Sequence, residues 1–298
     1  YLPHINHTLN LSIIDAGAIE KRSFTVVVDA VNGAASSALP AMVKALGCRV
    51  HHLHCNPDGK FPRGAEPLSH NLKQLGEAVV THQADIGIAT DPDGDRLAIV
   101  DEKGNPLGEE YTLTICADGL LKSTSYPESI VTNLSTTMAL DKVAEKYGSR
   151  VIRSAVGEIN VVNKMKEVGA VLGGEGNGGV ILPESHYGRD SLVGTSMILN
   201  RMAQDTRTVS EIFQSMPQFI MVKDKIELGS VDPQTALDKI EAAYPDVDSD
   251  KTDGLKLSWE NSWMHIRKSN TEPIIRIYAE GETKKSASEL VEGVKQFI

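Results

Sequence analysis

Cysteine is scarce in the 298-residue sequence: Cys48, Cys55 and Cys116 are odd in number and show no C-x-x-C spacing. That usage fits a reducing, cytoplasmic setting rather than a disulfide framework. No apolar run reaches the length of a membrane span and no signal peptide is evident, so no membrane role is expected. No start methionine opens the chain, and no Lys/Arg-rich block stands out against a net charge of −10. This balance argues against nucleic acid or an anionic membrane as the main partner. It leaves open a phosphorylated small molecule, which needs only a local basic pocket.

What is present is a globular composition, 41% hydrophobic, in a chain long enough for two or three domains. The most informative stretch is Ile86 to Val100, two short apolar runs around Asp91-Pro92-Asp93-Gly94-Asp95-Arg96. Carboxylates at alternate positions of an extended loop point to one side. Three anions so close repel one another unless a cation sits among them. A hard divalent ion with oxygen ligands, Mg²⁺ or Ca²⁺, is the natural candidate. Arg96 adds a permanent cation suited to gripping a phosphate or pinning a carboxylate. A solvated acidic turn and an EF-hand are the alternatives. Asp91, Asp93, Asp95 and Glu102 fall at EF-hand positions 1, 3, 5 and 12, but Arg96 stands where that loop needs glycine.

Residues 1–23 read as an irregular lead-in with a short helix. Strand Phe24 to Ala30, helix Ala34 to Leu46, strand Arg49 to Cys55, helix Leu68 to His82 and the strand entering the acidic loop form a parallel α/β pattern. Ser69 reads as the N-cap of the second helix. His51, His52, His54 and Cys55 crowd one strand, but alternation splits them between two faces, against a zinc site. After a helix from Glu110 to Lys122 the pattern repeats. Strands are expected at 129–133, 150–154 and 170–173, and helices at 136–147 and 158–167.

A second loop follows, Gly173-Gly174-Glu175-Gly176-Asn177-Gly178-Gly179. Its G-x-G-x-x-G register resembles a dinucleotide fingerprint, but a strand, Val180 to Pro183, follows instead of the required helix. The other reading is a glycine-walled loop whose Glu175 and Asn177 suit vicinal hydroxyls of a sugar. His186, Arg189 and Asp190 read as polar loop residues capping a helix from Ser191 to Ala203, with Arg189 able to reach a bound anion. From Gln218 the pattern becomes that of a small, mostly antiparallel α+β domain. In it Arg267-Lys268-Ser269-Asn270-Thr271-Glu272-Pro273 and Arg276 offer guanidiniums, hydroxyls and loop N–H groups for a phosphate.

Taken together and in this order, the three loops resemble the α-D-phosphohexomutase superfamily of phosphoglucomutase, phosphomannomutase and phosphoglucosamine mutase. DPDGDR (91–96) resembles its magnesium loop, GEGNGG (174–179) its sugar-recognition loop, and RKSNTEP (267–273) its phosphate-binding loop. Two positions depart from the usual G-E-x-S-G-H: Asn177 replaces the serine and Gly179 the histidine. The loop at Val156-Gly157 also lacks the basic residue often found just after it. The resemblance implies two successive three-layer α/β/α domains, 1–106 and 107–217, and a smaller α+β C-terminal domain, 218–298. These match family domains two to four. The domain that carries the catalytic phosphoserine is expected to be absent from this chain, since Ser69-His70-Asn71 is followed by Leu72 rather than proline.

The resemblance further implies a Mg²⁺-dependent interconversion of hexose 6-phosphate and hexose 1-phosphate through a hexose 1,6-bisphosphate. Asp91, Asp93 and Asp95 would hold the metal, and Arg96, the catalytic residue of this chain, would help position that loop or its phosphate. Glu175 and Asn177 would hold the sugar, and Arg267, Ser269, Asn270, Thr271 and Arg276 the phosphate. The expected partners are the phosphorylated hexose and the first domain of the same enzyme, and the chain alone is expected to be inactive. The alternative is a non-catalytic phosphosugar-binding module.

Overall fold

The computed structural model describes residues 1–227, 232–268 and 274–297. The chain opens with two helices, α1 (Leu2–Leu9) and α2 (Ala16–Arg22), the second capped by the Asp15 carboxylate accepting from Ala18 N–H. The expected irregular lead-in is therefore mostly helical, and α1 packs on later helices through buried Ile5 and Thr8. Then come β1 (Thr25–Asp29), α3 (Ala38–Ala45), β2 (Arg49–Leu53), α4 (Lys73–Thr81), β3 (Ile86–Thr90) and β4 (Leu97–Val100). The strands pair in the order β2-β1-β3-β4, parallel except for the last. All five residues of β1 and of β3 are buried, as strands covered on both faces must be.

Two expectations fail locally. A 3₁₀ turn at Ala34–Ser36 precedes α3 because Ala34 N–H is tied to Pro92 O at 2.7 Å, which pins the segment to the acidic loop. Ser69 is not an N-cap: it lies inside a second 3₁₀ turn capped by Leu68 without side-chain help, and α4 begins only at Lys73.

The second unit repeats the plan with α5 (Glu110–Ser123), β5 (Ser129–Asn133), α6 (Ala139–Lys146), β6 (Arg150–Ser154), α7 (Glu158–Val168), β7 (Leu172–Glu175), β8 (Gly179–Ile181), α8 (Ser191–Ala203) and α9 (Val209–Gln214). Its sheet order is β6-β5-β7-β8, the same topology with the same antiparallel edge. Helix α9 escaped the sequence reading although it carries a legible signal, a Thr208–Glu211 capping box. Helices α5 and α8 are buried along almost their whole length. They pack on each other, and α8 also meets α2 and α3, so one apolar core runs from Ile5 to Met216 through both units.

The third unit comprises β9 (Ile220–Glu227), α10 (Pro233–Ala243), β10 (Asp248–Asp250), β11 (Leu255–Trp259), β12 (Ser262–Lys268), β13 (Ile274–Gly281) and α11 (Lys284–Lys295). Its antiparallel sheet runs β10-β11-β12-β13-β9 over a separate core. The edge strand β10, Asp-Ser-Asp, has no hydrophobic alternation and was invisible in the sequence.

Polar contacts seat this unit on the second. Glu280 accepts from Met138 N–H at 2.8 Å and from Trp263 Nε1–H at 2.7 Å. Lys256 Nζ donates to Leu134 O at 2.7 Å. His265 Nε2 donates to Asp253 O at 2.6 Å, so its Nδ1 accepts from Ser135 Oγ at 2.7 Å. Burial, reinforced by the Lys256 and Arg267 cations, pushes the His265 pKa down to about 4 from 6.5. As pH falls through 6.5 the unfolded chain takes up a proton that the folded one refuses, so stability present above 6.5 is lost progressively down to about 4. The loss is about 3 kcal/mol at roughly 1.4 kcal/mol per unit. Urea unfolding followed by tryptophan fluorescence reports this unit, because Trp259 and Trp263 are the only tryptophans. Between pH 8 and 4.5 the wild type should lose about 2 kcal/mol more than His265→Gln, and equal losses would refute the assignment.

Candidate active site

The acidic loop closes on itself as its spacing predicts. Ligand atoms of Asp91, Asp93 and Asp95 all lie within 4.8 Å of one another. Asp91 is buried, and its Oδ1 accepts from the N–H groups of Asp95 and Arg96 at 3.0 Å each. Burial, the contact with Asp95 and the charges of Asp95 and Asp93 push the Asp91 carboxyl up to about 7. Asp95 Oδ1 is buried with no hydrogen-bond partner. An all-oxygen, anionic donor set with an orphaned oxygen fits a hard divalent cation. Arg96 Nε stands 3.5 Å from Asp91 Oδ2, and its guanidinium also pairs with Glu66. Glu102 turns elsewhere, accepting from Ser210 N–H at 3.2 Å and from its hydroxyl, and strands flank the loop, so the EF-hand reading fails.

The glycine loop lies against this one. Leu97 N–H donates to Gly178 O at 3.0 Å, and Arg96 bridges Gly179 in antiparallel fashion. Gly178 has φ +91°, and a Cβ there would collide with Leu97 O; a Cβ on Gly176 would collide with the Glu110 carboxylate. These glycines are therefore required by contacts inside the protein, not by a ligand alone. No helix opens after the loop, because β8 follows, and the dinucleotide reading fails with it. Both Glu175 oxygens already accept protein donors. Oε1 takes Asn133 Nδ2 at 2.8 Å and Gly157 N at 3.2 Å, while Oε2 takes Arg189 at 3.2 Å and Asn177 Nδ2 at 3.4 Å.

Arg189 connects the two loops. Its guanidinium pairs with Asp95, with Glu175 Oε2 at 3.2 Å and with Glu158 Oε2 at 3.2 Å. The sequence identified it as a loop residue able to reach an anion; its anions are the protein's own carboxylates. Asp190 caps α8 as expected, Oδ1 accepting from Leu192 N at 2.8 Å and Val193 N at 3.1 Å. The expected dispersal of the second-strand histidines also holds. His51 stacks on His82 at 3.9 Å, and His54 Nδ1 lies 3.2 Å from buried Asp29.

In the third unit Arg267 and Arg276 stand directly opposite each other on β12 and β13. Like charges so placed repel, which favours an anion between them. Ser269, Asn270 and Thr271 lie outside the described residues. A cavity of about 300 Å³ joins the three units, its walls including Arg96, Glu175, Asn177, Arg267 and Arg276. Glu110 and Lys223 complete it. Burial pushes the Glu110 carboxyl up to about 7 against the pull of Lys223 Nζ, 3.1 Å away. Neither carried a motif by which the sequence could flag it. The three aspartates lie off the cavity walls and connect to them through Arg96, itself a wall residue, and through Arg189, which pairs with the wall residue Glu175.

Two α/β/α units of one topology and an antiparallel third unit, closing on a cavity rich in guanidinium and carboxylate groups, define a class of multidomain α/β proteins. Domain models of the phosphoglucomutase/phosphomannomutase family match in succession: the α/β/α domain II at residues 1–104, the α/β/α domain III at 108–219 and the C-terminal domain at 222–296. The chain belongs to this family. It is 36% identical over 286 residues to the phosphoglucomutase/phosphomannomutase of Thermococcus kodakarensis, covering 95% of this chain and 62% of that protein. It is 30% identical to the phosphoglucosamine/phosphogalactosamine mutase of Sulfurisphaera tokodaii, covering 97% and 64%. The chain thus spans a little under two thirds of these relatives. A crystal structure of a family protein from Burkholderia thailandensis shares the fold with a TM-score of 0.81 at 24% identity, over 95% of this chain and 62% of that one.

Proposed function

We propose that this chain forms the metal-, sugar- and phosphate-binding part of a Mg²⁺-dependent phosphohexomutase, which interconverts hexose 6-phosphate and hexose 1-phosphate through a hexose 1,6-bisphosphate. The observation that carries the reading is the single cavity shared by Arg96, Glu175, Asn177, Arg267 and Arg276. Asp91, Asp93 and Asp95 would hold Mg²⁺, which when bound supplies charge neutralisation to a transferring phosphoryl group. Arg267 and Arg276 hold the non-reacting phosphate by charge-assisted hydrogen bonds. Asn177 presents its amide to the sugar hydroxyls. Glu175 receives a hydroxyl by giving up its long bond to Asn177, and its other donors fix its orientation. Arg189 keeps the sugar loop in register with the metal loop. The phosphoserine comes from residues outside this chain, so the chain alone binds substrate without turnover. Mutase activity from the isolated polypeptide in a coupled assay would refute that point. Three unpaired thiols agree with a cytoplasmic location, and no helix among the described residues is long and apolar enough to cross a membrane.

Calorimetry with glucose, mannose and glucosamine 6-phosphates tests the ligand assignment. Loss of one charge-assisted hydrogen bond costs about 1.5–3 kcal/mol, so Arg267→Ala should weaken binding roughly 10- to 100-fold. Glu175→Gln should weaken it less, since glutamine keeps one acceptor. If neither variant changes the affinity, both loops are misassigned.

A further inference from the structure

Away from the cavity, a different set of donors converges on one oxygen atom. His4 Nε2, from α1, lies 2.6 Å from Asp190 Oδ2, and His186 Nε2 lies 2.8 Å from the same atom. All three donor atoms fall within 4.8 Å of one another. We propose that His4, His186 and Asp190 form a second divalent-cation site, selective for a borderline metal such as Zn²⁺, that clasps α1 to the start of α8.

The cluster is ordered around the carboxylate. Asp190 Oδ1 is committed to the N-terminus of α8, which leaves Oδ2 aimed at the imidazoles. Gly188 gives the His186 ring its seat, since a Cβ there would stand 3.1 Å from Nδ1 and 3.3 Å from Cε1. Two imidazoles and one carboxylate match the ligand set Zn²⁺ takes in open sites, with water completing the tetrahedron. The fourth position faces solvent, because the His4 and His186 side chains are 33% and 45% exposed. Zinc–ligand distances of about 2.0–2.2 Å place donors roughly 3.2–3.5 Å apart, so each half-exposed ring moves away from Asp190 Oδ2 by roughly 0.4–0.9 Å. The aspartate trio offers only oxygens and selects a harder ion. The two sites thus share one chain without competing for one metal.

The position gives the clasp a consequence. Asp190 lies between Arg189, which pairs with Asp95 and Glu175, and Ser191, whose Oγ donates to Gly94 O at 2.6 Å. A cation at His4, His186 and Asp190 fastens the N-terminal helix to the residues that hold the acidic loop.

The test is calorimetry of ZnCl₂ into the full chain, freed of metal by chelation, with millimolar MgCl₂ present throughout. The wild type should bind one equivalent of Zn²⁺ that His4→Gln and His186→Gln each bind at least about tenfold more weakly, the loss typical of a disturbed metal shell. Co²⁺ used as a probe should give the intense visible absorption of four-coordinate cobalt in the wild type only. Circular dichroism of both variants should match the wild type, because the substituted side chains are half-exposed. Zn²⁺ binding of equal stoichiometry and affinity in all three proteins would overturn the proposal and leave a hydrogen-bonded cluster only. A weak six-coordinate Co²⁺ spectrum would overturn it equally.

Discussion

Arg201→Met is expected to destabilise the joined first and second units by about 3–5 kcal/mol, the cost of leaving a buried charge without its partner. Arg201 lies on α8 and is 1% exposed. Its Nε meets Asp118 Oδ2 on α5 at 2.5 Å, and its NH1 meets Asp205 Oδ2 at 3.0 Å. Burial alone would raise the Asp118 pKa, but hydrogen bonds from Arg201 and Tyr147 hold it below the usual carboxylate range. Methionine fills most of the arginine's volume, so the expected loss comes from a buried carboxylate left with only the Tyr147 hydroxyl at 2.8 Å and Lys146 Nζ at 3.7 Å, rather than from a cavity. A domain of this size loses roughly 2–4 °C per kcal/mol, so the melting temperature should fall by about 10 °C. Adding Asp118→Leu should recover most of the loss, since a well-packed apolar pair is often as stable as the ion pair it replaces. A single variant within about 1 kcal/mol of wild type would show that α5 and α8 do not depend on this pair.

Asp91→Asn should remove most of the response to Mg²⁺ and yet stabilise the metal-free protein at pH 8. With the folded carboxyl titrating at about 7 and the unfolded one at 3.8, the unfolded state releases its proton first as pH rises. Metal-free stability therefore falls between 3.8 and about 7 and stays low above it. Asparagine cannot ionise, and its Oδ1 still accepts from the N–H groups of Asp95 and Arg96. The gain at pH 8 should be about 1–2 kcal/mol once solvent screening is allowed for. Mg²⁺ at 100 times its Kd should stabilise the wild type by about 2.7 kcal/mol. The same titration should stabilise Asp91→Asn by only about 0.4 kcal/mol, its affinity being weaker by on the order of 100-fold. Thermal melts at several MgCl₂ concentrations read both effects. Equal Mg²⁺ shifts in the two proteins would remove Asp91 from the site.

The alternation of strand and helix was legible because hydrophobic period is a local property. β5 and β6 match their expected bounds, and α8 does too. The three loops were legible for the same reason, each being a short run of unusual chemistry between two elements. Short polar elements were not: β10 buries too little, and α1 sits in a stretch whose apolar face is defined only by the helices it meets. The glycine loop was legible as a run of unusual chemistry, but part of what its glycines admit is the backbone of Leu97, which no local pattern reveals.

The amino-acid sequence by itself determined the layered α/β plan, the family resemblance and the identity of the acidic, glycine-rich and arginine-bearing loops. Only the tertiary structure decided that Arg189 ties the first loop to the second and that Arg267 faces Arg276. It also decided that Glu110 and Lys223 close the cavity, and that His4 meets a carboxylate 186 positions away. The reason is physical. Period and turn chemistry act over a few residues, whereas charges such as these interact through space, and their partners are chosen by how α5 and α8 pack the two sheets together.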